Sequence, residues 1–447
     1  MELKSTGELH DSLKGAAREK AGRFDVKDPA LLRGEIIDGL IYNAVFNNDA
    51  GARDEARRII RGSARALGIE CASIQRLYEA MGRGECSGFT VPAVNIRGLT
   101  YDTARAMFRA AHKNRSAAFI FEIAKSEIGY TGQRPGEYSA AVVAAAIKEG
   151  FHGPVFIQGD HFQINAKKYA QDKSAEINAL KSLIAEAIEA GFFNVDIDAS
   201  TIVDLSKPDV DCQQRPNYET TAALTLFIRE RQPEGVTVSI GGEIGEVGGR
   251  NSTEAELRAF MDGYLGILGG NFKGISKISV QTGTSHGGVV LPDGTIAKVK
   301  VDFDTIERLS NVSREAYGLA GVVQHGASTL PDEAFDIFPK KGAAEVHLAT
   351  GFQNLLYDSP AFPQDLKKEI YAYLTEKCAD ERKEKETDEQ FIYKTRKKGF
   401  GPFKEKIWNI PAENRQRLMR ELEERFDLLF RKLNAVNTVG AVKKWVG

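Results

Sequence analysis

Hydrophobic residues in the middle of the chain fall into eight short runs, each separated from the next by a stretch with helical periodicity. The runs have the length and bounds of buried strands, and the stretches between them carry apolar positions at amphipathic spacing, as in Ala175–Ala190 and Glu254–Ile267. The pattern predicts strands at Phe89–Ile96, Ala117–Ile123, Pro154–Gln158, Phe192–Ile197, Val236–Ile240, Ile275–Val280, Leu319–Gln324 and Ala343–Leu348.

Eight strand–helix units within about 270 residues have the length and rhythm of an α/β fold, the (β/α)8 TIM barrel. A doubly wound open sheet is the alternative, but it rarely reaches eight units of this regularity. We therefore expect a barrel at residues 88–358, with a helical N-terminal extension at residues 1–87 and a helical C-terminal extension at residues 359–447.

The two extensions are charged and carry narrow apolar stripes. Leu40 and Ile41 belong to such a stripe in the first extension, and Leu418, Leu422 and Phe426 form one in the second. A helix with one apolar stripe needs a surface to pack on. We expect the extensions to cover the barrel or to build a subunit interface.

Composition narrows the class of protein. Of the 447 residues, 42% are hydrophobic, and the formal net charge of −2 does not favour a nucleic-acid partner. The four cysteines are far apart with no CxxC pair, which argues against a disulfide framework and fits a reducing compartment. Neither a signal peptide nor a membrane-spanning apolar run is recognisable, so we expect a cytoplasmic protein without a membrane partner.

The positions of the histidines indicate a metal site. The chain has only seven histidines, and four of them lie at or just beyond predicted strand ends: His161, His286, His325 and His347. Barrel enzymes carry their catalytic groups at the carboxyl ends of the strands. Three imidazoles that converge from separate strands are typical of catalytic zinc, which acts as a Lewis acid on a substrate carbonyl.

Acidic residues accompany these histidines. Asp160 precedes His161, which would place a general acid/base beside the metal. Glu243 begins a glycine-rich acidic loop after the fifth strand, and it is interpreted as a metal ligand, a proton carrier or a solvated turn residue. Asp198 lies near the end of the fourth strand and is expected to reach the same site.

Small residues surround two of the histidines, in the segments 283–288 and 324–328. Their backbone N–H groups could approach an anion, as phosphate-binding loops do, and simple turn geometry is the equal alternative. Lys125, after the second strand, is interpreted either as a point charge for phosphate or as a surface lysine.

The order of these motifs resembles the class II ketose-bisphosphate aldolases, over residues 88–358. The motifs are Asp160-His161, Ile197-Asp198-Ala199-Ser200, Glu243-Ile244-Gly245-Glu246-Val247-Gly248-Gly249, Gly283-Thr284-Ser285-His286-Gly287 and His325-Gly326-Ala327-Ser328. The resemblance implies zinc bound by His161, His286 and His325, with Asp160 exchanging the proton of the hydroxyl at the cleaved bond. It also implies acidic positions around the metal at Glu243 and Asp198, and substrate or phosphate contacts at Asn95, Gly287, Gly326, Ser328, His347 and Thr350.

The chain also departs from the family pattern. Arg250 and Asn251 stand where the family usually has acidic residues, one of them the base that deprotonates dihydroxyacetone phosphate, and Glu246 is a candidate substitute. In the eighth strand, His347 replaces an asparagine that touches the substrate in the family. Just after that strand, only Thr350 keeps a residue type that binds phosphate in the family. These differences concern the substrate and proton transfer, whereas the zinc-binding residues are retained.

We therefore expect a divergent class II aldolase with zinc as its cofactor, and a second mono- or divalent cation is an open alternative. It would reversibly cleave a ketose phosphate, such as fructose 1,6-bisphosphate, to dihydroxyacetone phosphate and an aldehyde. Two other readings stay open. One is a non-catalytic accessory subunit of a tagatose-bisphosphate-type aldolase, suggested by Gly129-Tyr130-Thr131-Gly132. The other is a zinc lyase for a non-bisphosphate sugar. The resemblance also implies a homo-oligomer, a dimer or larger.

Overall fold

The structure is a computed structural model that describes residues 3, 5–245, 250–283, 291 and 301–447. In these residues, eight parallel strands close into a barrel, and segments that precede and follow the barrel pack on it. No helix within the described ranges is long and apolar enough to cross a membrane.

The N-terminal segment contains strands as well as helices. An antiparallel hairpin joins β1 to β2, which the helical periodicity did not predict, and β3 extends the barrel sheet by pairing with a barrel strand in parallel. The elements are α1 (Thr6–Asp11), β1 (Ala17–Lys20), β2 (Arg23–Val26), α2 (Pro29–Leu31), α3 (Ile37–Phe46), α4 (Ala50–Ala66), β3 (Ile69–Ala72) and α5 (Gln75–Gly82), with a π-helical turn at Leu32–Ile36.

Each of the eight barrel strands overlaps one of the eight predicted strands, although β8 lies three residues further along the chain than predicted and β6 is five residues longer at its end. They are β4 (Val91–Asn95), β5 (Ile120–Ala124), β6 (Gly153–Gln163), β7 (Asn194–Asp198), β8 (Ser239–Glu243), β9 (Lys277–Val280), β10 (Val322–Gln324) and β11 (Glu345–Leu348). Strands adjacent in sequence are adjacent in the sheet, and β11 pairs with β4 to close it. Apart from the ends of β6, every strand is buried along its length, because helices cover the outer face of a parallel barrel. The predicted (β/α)8 barrel is confirmed.

Helices connect the strands and continue into the C-terminal segment. Buried residues of α19, among them Leu418, Leu422 and Phe426, form its apolar stripe, and α19 packs against α6 on the outside of the barrel. The helices are α6 (Thr100–Asn114), α7 (Lys125–Thr131), α8 (Pro135–Glu149), α9 (Ala166–Gln171), α10 (Lys173–Glu189), α11 (Val210–Arg231), α12 (Glu254–Leu268), α13 (Phe303–Tyr317), α14 (Ile337–Lys340), α15 (Thr350–Asp358), α16 (Gln364–Lys377), α17 (Asp388–Thr395), α18 (Lys404–Trp408), α19 (Ala412–Lys432) and α20 (Val439–Trp445).

The amino-terminal end of the barrel is filled with apolar side chains. Leu77 and Tyr78 of α5 join Val91, Ile120 and Phe156 of the first three barrel strands in a cluster separate from the main core. This packing closes the end of the barrel at which parallel-barrel enzymes carry no chemistry. Polar side chains are concentrated towards the opposite end, where the strands finish.

Candidate functional site

A bulge in β6 brings two adjacent polar residues to one cavity. The pairing of β6 with β7 shifts register between Gly159 and Phe162, and His161 has φ of 39°, in the left-handed region that non-glycine residues seldom adopt. A side chain at Gly159 would collide with the Phe162 ring, so the bulge depends on glycine there. In a regular strand, neighbouring side chains point to opposite faces, but here Asp160 and His161 line the same cavity.

His161 lies among three buried carboxylates. Its Nδ1 is 3.0 Å from Asp198 Oδ2 and 3.2 Å from Glu243 Oε2, and its Nε2 is 4.0 Å from Asp160 Oδ1. Burial opposes a charge on the imidazole, but Asp160 and Glu243 outweigh it and hold the pKa of His161 well above its ordinary value. Burial, helped by the charge of Asp198, raises the pKa of Glu243 to about 7.

His325 approaches His161 from β10. The centroids of the two rings are 4.2 Å apart, and His325 Nε2 lies 2.9 Å from Ser279 Oγ. We name the group formed by Asp160, His161, Asp198, Glu243 and His325 the mouth cluster. No described lysine or arginine forms an ion pair with its three carboxylates.

The mouth cluster has the composition of a metal site. Ligand atoms of Asp160, His161 and His325 lie within 4.8 Å of one another, and so do those of His161, Asp198 and Glu243. A metal ion with bonds of about 2 Å keeps its ligand atoms within about 4 Å, so small side-chain movements suffice. The hydrogen bond from His161 to a carboxylate is the contact by which proteins commonly orient a metal-binding imidazole. The described residues therefore fit a divalent metal.

Asp160 is held on both of its oxygens. Asn95 Nδ2 donates to Oδ2 over 2.8 Å, and His347 Nδ1 lies 3.1 Å from Oδ1. Burial favours the neutral acid, but His161 and His347 outweigh that effect and hold the pKa of Asp160 well below its ordinary value. Asp160 is thus an ionised carboxylate in a fixed orientation at the edge of the cavity.

A second group of buried polar residues fills the barrel below. Lys277 Nζ donates to Gln158 Oε1 at 2.7 Å, and it lies 3.0 Å from Asp196 Oδ1 and 2.5 Å from Glu345 Oε1. These residues come from β6, β7, β9 and β11, so their contacts cross the interior of the barrel. Together with Glu122 and Tyr78, which bond to Gln158 and Glu345 respectively, they form what we name the interior cluster.

The interior cluster contains its own cation. Burial disfavours the charge on Lys277, but Asp196 and Glu345 outweigh it and raise the pKa of the lysine. Burial alone would raise the pKa of Glu345, but Lys277 and His347 lower it to about 2. His347 joins the two clusters, because its Nε2 lies 2.5 Å from Glu345 Oε1 while its Nδ1 contacts Asp160.

A cavity of about 460 Å³ opens above the mouth cluster. Five of the residues predicted to contact substrate line it, at or just beyond the ends of β4, β10 and β11. They are Asn95, Gly326, Ser328, His347 and Thr350. Gly326 has φ of 70° and begins a short 3-10 turn, and Ser328 Oγ accepts a hydrogen bond from Ala349 N. A cavity of this size is large enough for a small-molecule ligand.

A family comparison decides the class of this chain. The sequence model of the family described as fructose-bisphosphate aldolase class-II matches residues 75–405. The chain belongs to this family. The resemblance drawn from the motifs is confirmed, and members of the family typically use a divalent metal. A search among curated proteins found no match to this aldolase-family chain.

Solved structures of low identity share the fold of this family member. Fructose-bisphosphate aldolase of Campylobacter jejuni is 19% identical, with 83% of this chain and 97% of that chain covered and a TM-score of 0.50. A probable tagatose 6 phosphate kinase of Sinorhizobium meliloti is 17% identical, with 79% and 93% covered and a TM-score of 0.53. Fructuronate-tagaturonate epimerase of Cohnella laeviribosi is 12% identical, with 96% and 94% covered and a TM-score of 0.53.

The predicted site residues of this aldolase-family protein are brought together wherever they are described. Asp160, His161, Asp198, Glu243 and His325 form one cluster, whereas His286, Gly287 and Glu246 lie outside the described residues. Lys125 lines the cavity, but its Nζ donates to Glu176 Oε1 at 2.9 Å and to the Gln163 carbonyl at 2.8 Å. It is therefore a paired lysine.

Sequence reasoning missed most of the interior cluster. Lys277 and Glu345 each lie within a predicted strand, between small and apolar residues. A charged residue inside a buried parallel strand is a usable signal, because such a residue needs a partner of opposite charge. Arg97 and Lys397, which also line the cavity, gave no such signal, because both lie outside the predicted strands.

Proposed function

We propose that this protein is a zinc-dependent aldolase that reversibly cleaves a ketose phosphate, with fructose 1,6-bisphosphate as the leading substrate. The observation that carries the proposal is the β6 bulge, which turns Asp160 and His161 to the same cavity beside His325. An acid/base and the metal-binding residues then face one substrate. The family supports the aldolase class.

The metal would be held by His161 and His325, with His286 as the third ligand expected from the sequence and Glu243 and Asp198 close by. The three carboxylates of the mouth cluster favour a divalent cation, since no described lysine or arginine neutralises them. When bound, zinc supplies Lewis-acid polarisation of the substrate carbonyl.

Asp160 is the proposed proton carrier. In cleavage, its ionised carboxylate accepts the proton of the hydroxyl at the bond that breaks, while the electron pair of that bond stays with the other half. A second acid, for which Glu246 is the candidate from the sequence, then protonates the carbon that holds this pair and gives dihydroxyacetone phosphate. In condensation, Asp160 returns the proton. Asn95 and His347 hold the carboxylate in place throughout. The loop residues Gly326 and Ser328, and Thr350, are proposed to bind phosphate, with Gly287 added from the sequence.

The test measures release of dihydroxyacetone phosphate from fructose 1,6-bisphosphate by zinc-loaded protein, with and without a chelator. We expect release that the chelator abolishes. Asp160→Asn should keep zinc at full stoichiometry and lose rate by roughly 10²–10⁴-fold, as expected for a positioned acid/base. Rapid turnover by Asp160→Asn would contradict its role, and loss of zinc in that variant would reassign it as a ligand.

Epimerisation of a keto sugar acid is a second candidate. The observation that favours it is that the C-terminal segment contributes Lys397 to the cavity. The fold likeness to the fructuronate-tagaturonate epimerase includes this segment, since it covers 96% of this chain and 94% of that chain. The same residues could cleave the carbon–carbon bond and form it again on the opposite face of the aldehyde. This would invert the configuration at one carbon. Interconversion of fructuronate and tagaturonate, without dihydroxyacetone phosphate release, would favour this candidate.

Three further expectations remain proposals. The chain is divided at residues 1–87, 88–358 and 359–447, the protein is cytoplasmic, and it assembles as a homo-oligomer. A protein that holds zinc but acts on neither class of substrate would support the accessory-subunit alternative. Size-exclusion chromatography with light scattering measures the assembly state directly.

A further inference from the structure

Three consecutive cations occur in the short turn Arg396–Gly399 of the C-terminal segment, and they have different environments. Arg396 donates to Asp358 at 2.6 Å and 3.1 Å, and Lys398 pairs with Glu381. Lys397 lies between them. Among the described residues, none forms a hydrogen bond or an ion pair with the side-chain ammonium group of Lys397, which lies over the Tyr130 ring.

Lys397 lines the cavity above the mouth cluster. Its Nζ is 5.8 Å from the centroid of the Tyr130 ring, and its side chain is half-buried. Burial, followed by the charge of Arg97, lowers the pKa of Lys397. A partly buried ammonium group beside another cation is costly unless an anion joins it.

The turn is held firmly against the barrel. A side chain at Gly98 would collide with the Phe400 ring, and one at Gly401 would collide with the Tyr130 carbonyl oxygen. Both glycines therefore permit close contact between the C-terminal segment and the loops at the carboxyl end of the barrel. With Arg396 bound to Asp358, the position of Lys397 is fixed by packing on either side.

Arg97 is the second cation of this part of the cavity. Its Nε donates to Glu127 Oε1 at 2.6 Å, and its Nη1 donates to Gln353 Oε1 at 2.8 Å and to Thr350 Oγ1 at 3.3 Å. Glu127 balances the charge of Arg97, so the charge of Lys397 is in excess. Thr350 lies beside Arg97, which connects this pair to the proposed phosphate contacts.

We propose that Lys397, together with Arg97, binds the anionic group of the substrate, a phosphate or a carboxylate. The inference rests on the proposed function for the identity of the substrate, but the binding of an anion can be measured without turnover. It makes the C-terminal segment part of the site and a determinant of specificity for charged sugars. Lysine suits this role because its compact charge binds phosphate and carboxylate alike.

The experiment uses calorimetry to titrate inorganic phosphate, and separately acetate, into the 447-residue chain supplied with zinc. Lys397→Met is compared with Lys397→Arg, which keeps the charge, and with Lys398→Met, which removes a neighbouring charge that does not line the cavity. We expect Lys397→Met to bind the preferred anion roughly tenfold to hundredfold more weakly, as for loss of a charged hydrogen bond. Lys397→Arg and Lys398→Met should bind within a few-fold of the unaltered protein.

If phosphate binds more tightly than acetate, the anionic group of the substrate is a phosphate ester, and if acetate binds more tightly, it is a carboxylate. Either result supports the proposal when Lys397→Met binds that anion more weakly as expected. Equal affinity in Lys397→Met and the unaltered protein, equal losses in both Met variants, or no binding of either anion would overturn it. Failure of the proposed function has a different signature: anion binding that depends on Lys397, with neither dihydroxyacetone phosphate release nor uronate interconversion.

Discussion

The mouth cluster and the interior cluster are both buried, both rich in carboxylates, and joined through His347, yet they differ in how their charge is balanced. In the interior cluster, Lys277 reaches Asp196 and Glu345 and closes the network from within. In the mouth cluster, the described ionisable partners of the carboxylates are imidazoles, and the other donors, such as Asn95 and Gln163, are neutral. The interior cluster thus holds one positive charge of its own, and burial raises the pKa of Glu122 and that of Asp196, the latter to about 6, so that protons balance the remaining charge. The mouth cluster contains no described lysine or arginine, so its charge is balanced by protons or by a metal ion.

Their positions in the barrel match this difference. The interior cluster lies between α5, which closes the amino-terminal end with Tyr78, and the mouth cluster, which opens into the cavity. Water and ligands reach the mouth cluster through that cavity. We infer that the lower group supports the orientation of the upper one, through the contact of His347 with both Glu345 and Asp160.

Removing an imidazole from the mouth cluster is expected to have the largest effect. His325→Ala should abolish zinc binding and activity together, because three protein ligands are the usual set of a catalytic zinc site. Zinc stoichiometry by atomic absorption and turnover are the measurements. His152→Ala, which changes a histidine bonded to the Leu67 carbonyl outside the cavity, is the control and should leave both unchanged. Full zinc binding by His325→Ala would contradict the distinction between the clusters.

Removing the cation of the interior cluster should affect stability first. Lys277→Met leaves Asp196 and Glu345 buried without their partner, and we expect a loss of about 3–5 kcal/mol in the free energy of unfolding. The matched control is Lys273→Met, whose exposed ion pair with Glu79 is worth under about 1 kcal/mol. Denaturant titration compares the two. Equal small losses would indicate that the interior cluster does not depend on its lysine.

The pH dependence of zinc binding should also distinguish the two clusters, and it is the smallest of the expected effects. The pKa of Glu243 is raised to about 7 from 4.5, so its protonated form stabilises the zinc-free protein at low pH, and that contribution is lost as the pH rises through about 7. The raised pKa of His161 acts in the same direction. Because zinc replaces these protons, its affinity should rise with pH by about tenfold per pH unit for each proton released.

Zinc affinity measured between about pH 6 and pH 8 tests this expectation, since that range spans the shifted pKa of Glu243. Glu243→Gln has no proton to release and should show a weaker dependence on pH. Glu345, whose pKa is about 2, stays ionised across this range and should contribute nothing. A pH-independent affinity in the unaltered protein would indicate that the mouth cluster exchanges no protons for the metal.

The sequence by itself determined the barrel and most of the mouth cluster. The hydrophobic pattern located all eight strands, because a strand that is buried on both faces is a nearly continuous run of hydrophobic residues in the sequence. The histidines and acidic residues at strand ends could then be grouped, because closure of a parallel barrel brings all carboxyl ends to one rim. That rule placed Asp160, His161, Asp198, Glu243 and His325 together before any contact was known.

Only the tertiary structure decided how these residues face one another and what lies beneath and above them. The bulge at Gly159–Phe162 depends on the pairing of β6 with β7, and pairing is not local. The contacts of Lys277 cross the barrel, and Lys397 reaches the cavity from a segment about 240 residues beyond His161 in the chain. Such contacts are set by closure of the sheet and packing of the helices, so no periodicity along the chain records them.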